Sequence, residues 1–370
     1  MVMIKQAVLL VGGLGTRLGA RTRVMPKPLL DVGGRPFLAW LLDELRRHGL
    51  SDLVLLAGFR GERLREILGE AADLRILIEP EPLGTGGALR FARDHLDNRF
   101  FFLNGDSLFD INLWDLAATA PDAEATLAVR RVEDISRYGQ VLMDGARVTG
   151  FGQRTAAPAP GLINGGVGVL SRRIVERMRP GPVSIEADVY PQVAADGGLF
   201  GRVYDAPFID IGVPDDFALA QRVVPGRLTR GAIVFDEAAL LVPRGSGSEA
   251  IALQEGAAAA VKAVNDAGLL AFMIQDPVRG EPRTAPDLLA WRAQVNAVMT
   301  GFGAHIDAIA PAGGPTAEGL NDLLVRFRVK RARTAMIGGS SAAVPDAGGT
   351  GRHARCLLDT VAPLLVALAR

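Results

Sequence analysis

Apolar runs at Ala7 to Val11, Leu53 to Ala57, Leu74 to Ile78 and Phe100 to Leu103 alternate with amphipathic stretches at Phe37 to Arg47 and Gly87 to His95. Short continuous apolar runs read as buried strands and the 3.6-residue periodicity between them as helices, which predicts a parallel sheet wrapped by helices. After Asp110 the texture changes to shorter strands with turn signals, at Ala125 to Val129, Gln140 to Met143, Arg147 to Phe151 and Gly166 to Leu170. That predicts an added mixed or antiparallel section carrying a second ligand wall. Pro225-Gly226 ends a helix that begins near Pro214, and a new apolar strand opens at Ala232 to Phe235. The pattern therefore divides the chain into domains at 1–225 and 226–370. From Gly231 the alternation restarts with helix Glu249 to Asn265, strand Leu269 to Ile274, helix Ala285 to Thr300, strand His305 to Ile309, helix Ala317 to Phe327 and strand Thr334 to Ile337. This is a second α/β unit.

A length of 370 residues suits two cores of ordinary size. The 41 basic and 41 acidic side chains cancel, so no global field draws the chain to nucleic acid or to an anionic membrane. No apolar run reaches the ~18 to 20 residues a bilayer span needs. Met1 to Gln6 lead into a strand without the regions of a signal peptide, and Cys356 is the single cysteine. The expectation is a cytoplasmic, reducing location with no cysteine zinc site. The histidines, His48, His95, His305 and His353, lack metal spacing and read as surface or helix positions. Leu357 to Leu368 reads as core, with a homo-oligomer contact as the alternative.

Candidate chemistry begins where the first strand empties into Gly12-Gly13-Leu14-Gly15-Thr16-Arg17, followed by Pro26-Lys27-Pro28. Glycines admit backbone N–H groups to anionic oxygens, while an arginine fork and a lysine charge neutralise them, so the segment reads as a phosphate cradle. Leu83-Gly84-Thr85-Gly86-Gly87-Ala88 precedes a helix. It is either a turn with a cap or a set of N–H groups facing a nucleobase or phosphate. Asn104-Gly105-Asp106 sits at a strand's carboxyl end, where open α/β sheets present ligands, and Asp106 there is a magnesium ligand or a helix N-cap. Asp210, in Phe208-Ile209-Asp210-Ile211-Gly212, offers a second carboxylate, and two carboxylates with phosphates suit a small hard cation.

In their order and spacing these motifs resemble the sugar-phosphate nucleotidylyltransferase family over residues 1–225. Within it, Glu81 to Ala88, Ser136-Arg137-Tyr138-Gly139 and Gly161 to Gly166 are most similar to D-glycero-alpha-D-manno-heptose 1-phosphate guanylyltransferases, which make GDP-heptose for surface polysaccharides. The resemblance implies a Rossmann-like (GT-A-like) α/β domain with a mixed sheet. It implies that a sugar 1-phosphate oxygen attacks the α-phosphorus of a nucleoside triphosphate while pyrophosphate leaves. Arg17 would meet the pyrophosphate and Lys27 the α-phosphate, while Asp106 and Asp210 would hold Mg2+. The nucleotide would lie against Gly12, Gly13, Gly15, Thr16, Glu79, Pro82, Gly84, Thr85 and Asn104. Gly139, Gln153, Arg154 and Asn164 would meet the sugar phosphate. Gln153-Arg154 departs from the family's usual Glu-Lys pair: arginine still holds a phosphate, but a neutral glutamine puts the sugar's identity in doubt. Asn164 reads alternatively as part of a β-turn. Glu79 stands where uridylyl- and thymidylyltransferases carry glutamine, and a carboxylate that only accepts suits the adjacent donors of guanine. Its alternative is a solvent-facing strand end. Other readings are a mannose, glucose or amino-sugar 1-phosphate transferase using UTP or dTTP, and a nucleotide-sugar-sensing scaffold.

Residues 226–370 more weakly resemble haloacid-dehalogenase phosphatases of the heptose bisphosphate type. Asp236 matches the nucleophile, but Ala238 stands at the acid/base position, Gln275 at the hydroxyl position, Gly314-Pro315 at the lysine and Gly339 at a metal-binding aspartate. The resemblance therefore implies a phosphatase-like domain stripped of its chemistry.

Overall fold

The computed structural model describes residues 3–13, 18–19, 22, 25–136, 138–152, 157–226, 230–242, 250–275, 284–311, 316–338 and 357–368. In the first unit the chain runs through β1 (Gln6–Leu10), the small pair β2 (Asp31–Val32) and β3 (Arg35–Pro36), α1 (Phe37–Arg47), β4 (Asp52–Ala57), α2 (Glu62–Leu68), β5 (Leu74–Ile78), α3 (Gly84–Phe91) and β6 (Arg99–Asn104). It continues with β7 (Ser107–Phe109), α4 (Leu113–Thr119), β8 (Ala125–Val132), β9 (Gln140–Asp144), β10 (Arg147–Gly152), β11 (Gly161–Ser171), α5 (Tyr190–Ala195), β12 (Leu199–Tyr204), β13 (Phe208–Asp210) and α6 (Pro214–Gly226). Nine of these strands form one sheet, ordered β5-β4-β1-β6-β11-β8-β12-β10-β9. Its first four strands are parallel; β11 then joins antiparallel to β6 and carries the mixed remainder. From β1 the chain winds outward to β4 and β5 and then returns to the other flank of β1 as β6. That reversal opens a crevice at the carboxyl ends of β1 and β6. Apolar cores lie on both faces of the sheet, one around α1 and Trp114, the other around α3, Ile185 and Tyr190.

The second unit comprises β14 (Ala232–Asp236), α7 (Glu237–Leu240), α8 (Ala257–Asp266), β15 (Leu270–Ile274), α9 (Ala285–Met299), β16 (Ala308–Ala310), α10 (Thr316–Arg326), β17 (Thr334–Ile337) and α11 (Leu357–Leu368). Its four strands pair in parallel, in the order β16-β15-β14-β17. In α11, Val361 and Leu368 are buried in this unit's core while Val366 is exposed. Among the described residues, no helix is long and apolar enough to cross a membrane.

Several expected elements differ in extent: the strands expected at Ala125 to Val129 and Gly166 to Leu170 run on to Val132 and span Gly161–Ser171. The helix expected from Glu249 starts at Ala257, because Gly256 takes a left-handed φ of +75° and the preceding backbone bonds across to α7, with Gln254 N–H donating to the Leu240 carbonyl at 2.8 Å. The strand expected from His305 starts at Ala308. Here the amide oxygens of Asn265 and Asn296 accept the His305 and Ile306 N–H groups at 2.8 Å each, so two backbone donors are satisfied by side chains instead of a ladder. The helix expected from Gly87 begins at Gly84 and is followed by a separate 3-10 turn, Arg93–His95.

The histidine expectation is overturned at two positions. His48 and His305 are 3% and 0% exposed, their rings 4.6 Å apart between centroids, in a polar seam joining the units. Arg47 reaches Asp307 at 2.7 Å, and Arg230 reaches Asp110 at 2.8 Å. Lys262 reaches the buried Asp115 at 2.5 Å. Asn112 caps α4 with its oxygen while its amide group donates to Asp266 and to the Gly303 carbonyl. Burial pushes both imidazoles below the ordinary histidine range. Burial opposes ionisation of Asp307, but His305 and Arg47 beside it hold its carboxyl well below the usual range.

Candidate active site

The crevice beside β1 is a cleft of about 390 Å³. Beyond β1, Val11, Gly12 and Gly13 form its edge. A Cβ on Gly12 would stand 2.7 Å from the Gly58 nitrogen, and one on Gly58 would stand 2.4 Å from a Glu79 oxygen. Only glycines let the loops after β1 and β4 and the end of β5 converge this closely. Glu79 thus faces the cleft beside Pro82. Burial raises its carboxyl above the ordinary range, while the Leu83 N–H, donating at 3.4 Å, acts the other way.

Gly84 and Thr85 line the cleft at the start of α3. Further into the helix the N–H groups are already committed: Gly86 and Gly87 both donate to the Val183 carbonyl, at 2.8 and 3.3 Å. The expected N–H cradle is therefore confined to Gly84 and Thr85, and Gly86 and Gly87 serve close packing against the Gly181–Val183 segment. The Thr85 hydroxyl oxygen accepts the Ile185 N–H at 2.9 Å.

The charged floor is built by β7 and β13. A strand follows Asp106, not a helix, so the helix-cap alternative falls away. Antiparallel pairing sets Asp210 opposite Ser107, and the Ile211 N–H donates to the Asp106 carbonyl at 3.0 Å. Lys27, buried on a 3-10 turn between Pro26 and Pro28, donates to Asp106 at 2.6 Å and lies 3.4 Å from Asp210. Burial raises the Asp210 carboxyl, Asp106 raises it further, and Lys27 counters both. Among the described residues, Lys27 is the cation that the pair grips. Such an all-oxygen pair fits a small hard cation. Among the described residues, no group of three or more His, Cys, Asp or Glu side chains is arranged to hold a metal.

Asn104 ends β6 and lines the same cleft. Asn164 lies within β11 at an irregularity of its pairing with β8, so the β-turn alternative also falls away. Its amide nitrogen donates to Glu186 at 2.8 Å, and its oxygen accepts the Gly166 N–H at 3.1 Å. Glu186 was not singled out by the sequence, because an acid in the first turn after Ser184 looks like helix-end chemistry. Through Ile185, its segment is tied to Thr85, which brings the second wall to the cleft. Gly139 precedes β9 in an open loop. Gly15, Thr16, Arg17, Gln153 and Arg154 lie outside the described residues.

A nucleotidyl transferase family model matches residues 6–222. A probable mannose-1-phosphate guanylyltransferase 1 of Oryza sativa subsp. japonica is 34% identical over 250 residues, covering 62% of this chain and 69% of that protein. A D-glycero-alpha-D-manno-heptose 1-phosphate guanylyltransferase of Aneurinibacillus thermoaerophilus is 33% identical over 224 residues, covering 59% of this chain and 97% of that protein. Among solved structures, HddC from Yersinia pseudotuberculosis complexed with GMP-PN aligns with a TM-score of 0.53 at 30% identity, covering 59% of this chain and 98% of that one.

Proposed function

Because the chain belongs to the nucleotidyl transferase family, we propose that it transfers GMP from GTP to a sugar 1-phosphate, first among them D-glycero-D-manno-heptose 1-phosphate, forming a nucleotide-activated sugar. The observation that carries this reading is the convergence of Lys27, Asp106 and Asp210 beside a cleft that Glu79 and Asn104 also line. A sugar phosphate oxygen forms a new bond to the α-phosphorus as the bond to the β-phosphate oxygen breaks, and pyrophosphate departs with that electron pair. A phosphomonoester has its second pKa near ~6 and is largely dianionic at neutral pH, so no general base is needed. The chain's work is positioning and charge neutralisation.

In this reading Lys27 meets the α-phosphate and Arg17 the pyrophosphate. Mg2+ held by Asp106 and Asp210 would neutralise charge on the reacting phosphates. Glu79 accepts from the two adjacent donors on guanine's edge. Asn164, steadied by Glu186, meets sugar hydroxyls, and Gln153 and Arg154 complete that wall. The heptose preference is supported by the relative whose length the match covers almost throughout. Mannose 1-phosphate is the second reading, favoured by the rice relative.

The domains run 1–225 and 226–370. The second is a phosphatase-like unit without phosphatase chemistry, a reading supported by Asp236, whose carboxylate accepts the Ala238 N–H at 2.8 Å and caps α7. Pyrophosphate release from GTP, UTP, dTTP and ATP, each with heptose, mannose and glucose 1-phosphates, tests the proposal. GTP with the heptose gives the highest kcat/KM. A clear preference for UTP or dTTP overturns the guanine assignment.

A further inference from the structure

A second cavity, of about 290 Å³, opens where the two units meet, and none of its lining residues belongs to the transfer cleft. Arg35, Arg46 and Arg47 reach it from the first unit and Arg230 from the joining segment; Arg292, Arg326 and Arg328 reach it from the second. The carboxylates lining it are Asp43 and Glu44. Four of the arginines are paired: Arg35 with Asp43 at 2.8 Å, Arg46 with Asp73 at 2.7 Å, Arg47 with Asp307 and Arg230 with Asp110. Among the described residues, the three from the second unit have no carboxylate partner.

Arg292 donates to backbone carbonyls, of Ile306 at 2.9 Å and of Arg47 at 2.5 Å. Burial lowers its pKa to about 10; Asp307 counters this, while Arg326 and Arg47 depress it further. Like charges thus face one another across the cavity with too few carboxylates between them. Arg328 adds a backbone argument. Helices α1, α2 and α8 are followed by the left-handed glycines Gly49, Gly69 and Gly268, but after α10 the left-handed residue is Arg328, with φ +54°. An L side chain is disfavoured in that conformation, yet a long cation stands there, at the cavity.

We propose that this inter-unit cavity binds a phosphate-bearing anion through Arg292, Arg326 and Arg328. Guanidinium forks match phosphate oxygens in pairs, and Leu270 and Phe327 add an apolar wall suited to an organic phosphate. The inference stands independently of the transferase reading.

Titration calorimetry of the full chain at about 150 mM potassium chloride, with inorganic phosphate, mannose 1-phosphate and GDP as probes, tests it. In the wild type at least one probe shows a binding event that Arg326→Glu weakens by about tenfold or more. Arg328→Gly weakens the same event while its melting temperature stays level or rises, and the KM for nucleoside triphosphate is unchanged in both variants. The tightest probe identifies the source as free phosphate, sugar phosphate or nucleotide. Isotherms unchanged in both variants overturn the proposal. So does binding that chloride displaces as readily as it displaces any counter-ion, which means an adventitious ion only.

Discussion

At the carboxyl end of β1, glycine backbones draw three strand ends together, and Lys27 stands between two carboxylates that the β7–β13 pairing sets side by side. At the carboxyl end of β14, Asp236 bonds back onto its own chain to start a four-residue helix. Both units are built on parallel strands, so the architecture alone does not separate them. What separates them is whether charges converge on an empty space or are satisfied locally, and convergence is the arrangement that costs folding energy unless a ligand repays it.

The strongest test of this contrast is Asp106→Ala. Turnover is expected to fall by about 10^2- to 10^3-fold, with an unchanged far-ultraviolet circular dichroism spectrum; near-normal pyrophosphate release would erase the distinction between the two strand ends. Acidification reads the charges that the two units share in the seam. His48 and His305 have folded pKa values below their unfolded ones. Their contribution to stability is therefore present above about pH 6.5 and is lost as pH falls, by up to about 1.4 kcal/mol per pH unit for each. Urea midpoints measured from pH 7.5 down to 5.5 check this, and a flat profile contradicts the buried neutral pair. Glu79→Gln should reduce the preference for GTP over UTP by about tenfold, the equivalent of roughly 1.4 kcal/mol. An unchanged ratio in competition assays would return Glu79 to a structural role. Smallest is Asp236→Ala, expected to cost about 1 kcal/mol through the lost cap and to leave transfer rates alone. A phosphatase activity that vanishes in this variant would break the contrast outright.

The parallel half of the first sheet was legible because β1, β4 and β6 are buried on both faces and read as plain apolar runs. Its cleft was legible because glycines and opposite charges placed at strand ends announce a convergence, and Gly12, Lys27, Asp106 and Asp210 do converge there. The seam was not. His48 and His305 are 257 positions apart, and each looks like an ordinary polar residue until the other unit covers it. Glu186 escaped because its position imitates a helix start. The arginines of the inter-unit cavity come from β3, α1, the joining segment, α9 and the end of α10 with the turn after it, so no local window shows their accumulation. The helix expected from Glu249 was too long because composition favoured it, while one left-handed glycine decided where it began.

Asn112 belongs to the first unit and caps one of its helices, yet its amide hydrogens are spent on Asp266 and Gly303 of the second. Arg47 and Asp115 likewise have buried charges completed from across the seam. Selection on these contacts therefore acts on folding and is indifferent to whatever chemistry the second unit performs. The surface that completes Asn112 is fixed by the first unit's own folding, and the second unit becomes a part the chain is unable to discard.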